Sequence, residues 1–214
     1  MAKVITIAGQ KGGVGKTTVA IGLAAEWMHR GKRVLLVDGD PQRTATTWAE
    51  VALEKGHPVP TVVSMGATMH RADQLPRLAP SFDIVIVDTP PRLGDVQRAA
   101  LMVADIVVVP CGPSAHDFWA LAEGFELIDS ARILRPELLV RVLVTRKVAS
   151  TIIGRAARDA LIAHGLEALY TQLGYRTDYQ EASAAGLGVS TYRRVSDASG
   201  EVQGLATELE ELLA

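Results

Sequence analysis

The sequence predicts an α/β fold, a P-loop-type domain whose mostly parallel central sheet is flanked by helices on both faces, as a single domain over residues 1–214. Three observations lead there. Apolar runs rich in Val and Ile recur at Val4 to Ala8, Val34 to Val37, Ile84 to Val87, Ile106 to Val109 and Leu138 to Val144. They are continuous rather than alternating, which is the pattern of strands buried on both faces. Longer stretches with helical spacing lie between them, and that alternation implies a parallel sheet. A glycine-rich turn, Gly9 to Gly15, stands directly after the first run.

In chain order, the strand from Val4 enters the glycine turn, and the segment opening Val19-Ala20-Ile21 predicts a helix over 17–30. The run from Val34 ends at Asp38-Gly39-Asp40-Pro41, after which a helix is expected over 44–55. A helix over 68–79 precedes the run from Ile84, and the prolines 90 and 91 lead to one over 92–103. The run from Ile106 ends in Pro110-Cys111-Gly112-Pro113, followed by a helix over 116–134. After Leu138 to Val144 come helices over 151–164, 178–186 and 201–213.

Composition excludes several classes. No apolar run approaches the roughly 20 residues a bilayer needs. The N-terminus goes straight into a strand pattern without a signal peptide, so the chain is expected in the cytoplasm. One cysteine, Cys111, excludes an internal disulfide framework and a multi-cysteine metal site. A net charge of -2 gives no global reason to bind nucleic acid, so such binding must rest on local patches.

The chemistry begins at Lys11-Gly12-Gly13-Val14-Gly15-Lys16-Thr17-Thr18. A strand, a glycine turn and a helix N-terminus aim backbone N–H groups at one spot, where they can cradle phosphate oxygens. Lys16 would neutralise the β- and γ-phosphates of ATP, and the Thr17 hydroxyl would coordinate Mg2+. A turn that merely joins strand to helix does not need this lysine and threonine. Asp38 and Asp40 end a second apolar run at the expected ligand edge of the sheet, and two residues apart on a strand their side chains point the same way. The run Ile84 to Val87 ends in Asp88, the form of a Walker B motif, where a carboxylate holds a magnesium-bound water. An apolar strand ending in Asp is common by chance; its spacing behind the other two segments gives it weight.

The phosphate loop departs from the usual pattern in having Gln10 where a glycine is common and an added lysine, Lys11. With those residues it resembles the deviant Walker A motif of the ParA/MinD family of ATPases, over nearly the whole chain. The resemblance implies that Lys11 reaches across an ATP-sandwich homodimer to the nucleotide of the other subunit. It implies that Asp40 lies beside the attacking water and Asp38 near the magnesium and the lysines. Lys11, Lys16 and Asp40 are thus the expected catalytic residues, Gly12 to Thr18 the phosphate site, and Thr17, Asp38 and Asp88 the metal residues. Val108 to Ser114 looks like the family's loop near the dimer interface, and Thr145 and Arg146 fall where the family places groups around the adenine.

Three further features choose among relatives. The chain starts at its first core strand, so it resembles the short partition ATPases that lack an N-terminal DNA-reading domain. The segment 201–213 is amphipathic but acidic, unlike the basic membrane helix of MinD-like proteins, so no membrane role is expected. Arginines crowd 132–158, and Arg193 and Arg194 follow. By resemblance, Arg155, Arg158, Arg193 and Arg194 bind nonspecific double-stranded DNA in the ATP-bound dimer, placing the protein on the nucleoid. A ParB-like or other adaptor would stimulate hydrolysis, and the cycle would segregate or position cargo such as a plasmid or chromosome. Two alternatives stay open: a MinD-like membrane-cycling ATPase, and an ATP-dependent ligase of the dethiobiotin-synthetase type, which shares the fold.

Overall fold

The computed structural model describes residues 2–92 and 94–214, without the side chains of Ala122 and Glu123. Leu93, inside the helix expected over 92–103, lies outside them. Among the described residues six strands form one sheet: β1 (Lys3–Ile7), β2 (Val34–Asp38), β3 (Thr61–Ser64), β4 (Ile84–Asp88), β5 (Ile106–Cys111) and β6 (Leu139–Val144), in the order β3-β2-β4-β1-β5-β6. All pairings are parallel. The register brings the carboxyl ends level: Asp88 is the partner of both Ile7 and Asp38, and Asp38 is also the partner of Ser64. Two buried carboxylates therefore stand side by side next to the strand that feeds the glycine turn, where parallel sheets bind ligands.

The helices α1 (Lys16–His29), α2 (Thr44–Glu54), α5 (Ala115–Leu134) and α6 (Ile152–Ala163) follow the expected segments within two residues. Helix α1 is buried almost all round, because the sheet covers one side and α8 (Val189–Tyr192) and α9 (Asp197–Leu212) cover the other. Trp27 in its last turn is fully buried and donates its indole N–H to Glu210 at 2.8 Å. Burying a side chain of that size contributes on the order of 3 kcal/mol. The seam is made by small residues: a Cβ on Gly188 would lie 2.3 Å from the Ala25 Cβ, so only glycine lets the chain pass so close.

Some elements differ from expectation. Strand β3 was not expected, because an edge strand of four residues with both ends exposed carries no continuous apolar run. The helix expected over 68–79 shrinks to α3 (Leu75–Leu78), preceded by three-residue turns at Met69, Arg71 and Gln74. Pro76 sits in the first turn of that helix, where its missing N–H costs no intrahelical bond, and the N-cap Gln74, with φ of -104° and ψ of -120°, is not helical. The remaining helices are α4 (Asp95–Leu101) and α7 (Thr177–Ala184). Helix α9 starts before residue 201, because the Ser196 hydroxyl caps it by accepting from the Ser199 N–H at 3.1 Å. Among the described residues no helix is long and apolar enough to cross a membrane.

Candidate nucleotide-binding site

The loop between β1 and α1 has the backbone of an anion nest. Gly13 and Gly15 have φ of 74° and 95°, the left-handed region that glycine enters without a steric penalty. Alternating handedness turns successive N–H groups to one side and carbonyls to the other. The carbonyls are indeed taken from outside: Val14 O accepts from the Thr145 hydroxyl at 2.8 Å, Gly13 O from the Arg146 guanidinium at 3.1 Å, and Lys11 O from the Lys16 amine at 2.9 Å. Among the described residues no backbone carbonyl accepts from the N–H groups of Gly12 to Thr17, which is the donor set a phosphate would fill.

Lys16 is nearly buried, and that burial lowers its pKa, while Asp88 and Asp40 oppose the shift by favouring the charged amine. Thr17 at the first turn of α1 donates its hydroxyl to Asp88 at 2.7 Å. Asp88 is fully buried, and its other oxygen, Oδ1, has no hydrogen-bond partner. Burial first, with Asp38 adding to it, raises the Asp88 pKa to about 7 although the Thr17 bond lowers it. An orphaned buried carboxylate oxygen beside a threonine hydroxyl fits the hard-oxygen preference of magnesium, which takes its other ligands from waters and phosphates. Thr17 and Asp88 would hold that ion, and the ion would supply charge neutralisation at the phosphates.

Asp38 is differently employed from what was expected. Its Oδ2 accepts from both the N–H and hydroxyl of Thr46, each at 2.8 Å, and its Oδ1 from the Asp40 N–H at 3.2 Å. It ties the start of α2 and the Asp40 turn to the sheet. Strand β2 ends at Asp38, so the two-residue strand alternation does not extend to Asp40. Asp40 instead closes a turn, its Oδ1 accepting from the Gln42 N–H at 2.9 Å, and stays partly exposed.

Lys11, at the open lip of the loop, is 41% exposed and pairs with Asp117 of its own chain at 2.6 Å. Asp117 is the third residue of α5 and closes a capping box with Ser114. This partner was not legible in the sequence, because the pair is 106 residues apart. Beside the loop, a cavity of about 290 Å3 lies between Gly13 to Val19 and the segment Leu173 to Gln180, with Thr145 and Arg146 in its wall. Arg146 stacks over the Tyr175 ring at 5.6 Å. This is where a nucleotide base would sit, and Tyr175 and Tyr179, which line it, were not singled out from the sequence.

The four arginines expected at DNA fall in two groups at different ends of α9. Arg155 and Arg158 are on α6; Arg158 donates to Leu169 O at 2.9 Å and stacks over Tyr170 at 4.3 Å. Tyr170 N in turn donates to Glu208 near the end of α9, whereas Arg193 and Arg194 precede its start. At 1.5 Å per residue the two pairs are separated by roughly 16 Å along α9. Arg193 is paired with Asp178 at 3.2 Å; Arg155, exposed, donates to Ser150 O at 3.0 Å. Of the earlier arginines, Arg132 and Arg141 share Glu167 and Arg135 pairs with Glu137.

A family model described as an AAA domain matches residues 2–75 and 61–132. The chromosome-partitioning ATPase Soj of Thermus thermophilus is 32% identical over 96% of this chain and 94% of its own. Maintenance of carboxysome distribution protein A of Halothiobacillus neapolitanus is 31% identical over 86% of this chain and 85% of its own. Among solved structures, cobyrinic acid a,c-diamide synthase from Mycobacterium smegmatis with an ATP analog and magnesium superposes with a TM-score of 0.80, at 22% identity, over 100% of this chain and 96% of that one. That likeness is one of fold. With the nest, the Thr17–Asp88 pair and relatives of this identity, the chain belongs to the ParA/MinD-type family of P-loop ATPases and hydrolyses ATP.

Proposed function

We propose that the protein is an ATP-driven dimerising switch that binds DNA without reading sequence and uses hydrolysis to segregate or position cargo. The observation that carries this reading is Lys11. It leaves the nest at its exposed lip, contributes its carbonyl to Lys16, and has its amine held by Asp117. A second subunit facing this lip would bring its own phosphates to the Lys11 amine, and these would have to displace Asp117. Charge neutralisation by a lysine from each side is what phosphoryl transfer to water needs, since its barrier falls mainly through positioning and electrostatics. In this reading Asp40 orients the water, Thr17 and Asp88 hold magnesium, and Asp38 keeps Asp40 in place.

Relatives named for chromosome partition and carboxysome distribution support a positioning role, with the nucleoid as the surface and an adaptor protein as the stimulus for hydrolysis. The acidic α9 is packed on α1 through Val202, Leu205 and Leu209, which leaves no apolar face for a bilayer. The test is oligomeric state by light scattering with Asp40→Ala to preserve ATP. Dimer with ATP and monomer with ADP is expected, and Lys11→Ala should remain monomeric with both. A Lys11→Ala dimer equal to that of the parent would remove the lysine from the interface and with it the switch.

A further inference from the structure

The described non-glycine residues with positive φ are three arginines: Arg43 at 54°, Arg92 at 84° and Arg146 at 54°. Each follows the carboxyl end of a strand, β2, β4 and β6 respectively. An L-residue held there carries a steric penalty that glycine would not, and such outliers gather at functional sites whose surroundings hold them in place. Two of the three guanidiniums have protein partners. Arg146 donates to Gly13 O and stacks on Tyr175; Arg43 faces Glu50 at 3.9 Å.

Arg92 is different. Its backbone N–H donates to Gln10 O at 3.0 Å, and the preceding Pro91 stands 3.9 Å from where a Cβ on Gly12 would be. The residue is therefore clamped against the Gln10 to Gly12 lip of the phosphate nest. Its side chain is exposed, and among the described residues it has neither an ion pair nor a hydrogen bond. The same lip is where the Lys16 amine rests, on Lys11 O at 2.9 Å, and that amine is the group that reaches the β- and γ-phosphates. Lys11, the other cation there, is neutralised by Asp117.

We propose that Arg92 is a further catalytic residue of the ATPase: its guanidinium touches the γ-phosphate of the ATP held on the same chain's loop. In the reaction the water oxygen bonds to the γ-phosphorus as the bond to the β–γ bridging oxygen breaks. ADP leaves with that electron pair, and the water protons pass to phosphate and solvent. Charge gathers on the γ oxygens and the bridging oxygen, and a planar two-pronged cation meets those oxygens better than a point charge does. Its backbone is already fixed at the lip by the bond to Gln10 O, so only the side chain has to order when ATP is present. The left-handed backbone fixes Arg92 beside the Gln10 to Gly12 lip, the place from which the proposed contact is made.

Glycine separates this proposal from a purely structural reading. Arg92→Gly removes the guanidinium and the backbone strain together, so it should raise the melting temperature of the free protein by about 2–4 °C. It should leave ADP affinity within about twofold and lower kcat by about tenfold or more. Arg92→Gln, which keeps the side-chain bulk without charge, should lose as much, and Arg92→Lys should retain part. Arg92→Gly with unimpaired kcat would overturn the proposal. So would an equal weakening of ADP and of a non-hydrolysable ATP analogue, which would assign Arg92 to the shape of the loop. Should the glycine variant fail to fold, full turnover by Arg92→Gln overturns it alone. Asp40→Ala, run alongside, reports separately on the water-orienting role.

Discussion

Lys16 sits between two opposing demands. Burial disfavours its charge and lowers its pKa, yet the charge is what phosphates need, and Asp88 and Asp40 partly offset the burial. Asp40 is the other side of this balance, partly exposed, its carboxylate accepting from the Gln42 N–H and its own N–H donating to Asp38. Asp40→Ala should keep ATP binding while phosphate release falls by about 100-fold or more. Asp40→Asn, which can keep the turn bond, should fall as far; turnover by either variant at the parent rate would remove Asp40 from the chemistry. Cys111 gives a contrasting case. It is buried, and burial, with Asp117 nearby, pushes its thiol up to about 12. The reactive thiolate is therefore scarce at neutral pH, and iodoacetamide at pH 8 should label the protein only after denaturant is added. Rapid labelling of the folded protein would show that the β5 end opens.

Individual elements show which parts of the fold could be read in the sequence. Continuous apolar runs marked the five strands with buried centres, because a strand covered on both faces has no polar positions to alternate. β3 escaped because its four residues lie at the sheet edge and are only half covered. The phosphate loop was legible because its function depends on local backbone geometry, and Thr17 and Asp88 do meet at 2.7 Å. The Lys11–Asp117 pair, the Arg92–Gln10 clamp and the Asp38–Thr46 tie were not, since the first two depend on long-range packing and the third on where β2 stops. The α1–α8 seam belongs to this scale as well. Gly188→Ala would drive a methyl into the Ala25 methyl, an overpacking that costs about 1–3 kcal/mol. Thermal unfolding should fall by several degrees, with ATP turnover per folded molecule unchanged; an unaltered melting temperature would show that the seam can widen.

At the scale of the whole molecule, fold and function separate. The same architecture superposes on an enzyme named as a cobyrinic acid diamide synthase, so the sheet and nest alone do not choose between ligase and switch. The choice rests on Lys11 at the lip and on relatives named for partition and distribution. The arginines on α6 and those before α9 lie toward opposite ends of α9, roughly 16 Å apart along its axis. Each group alone offers few phosphate contacts; in the proposed switch a dimer would double both, and DNA affinity would then depend on nucleotide. The central claim is therefore tested most directly by binding to a random-sequence duplex with ATP, ADP or no nucleotide, using Asp40→Ala to hold the ATP state. The switch predicts tight, salt-sensitive binding with ATP alone, weakened when Arg155 and Arg194 are changed to Glu. Binding that is equal in all three states, or absent from all, would contradict it.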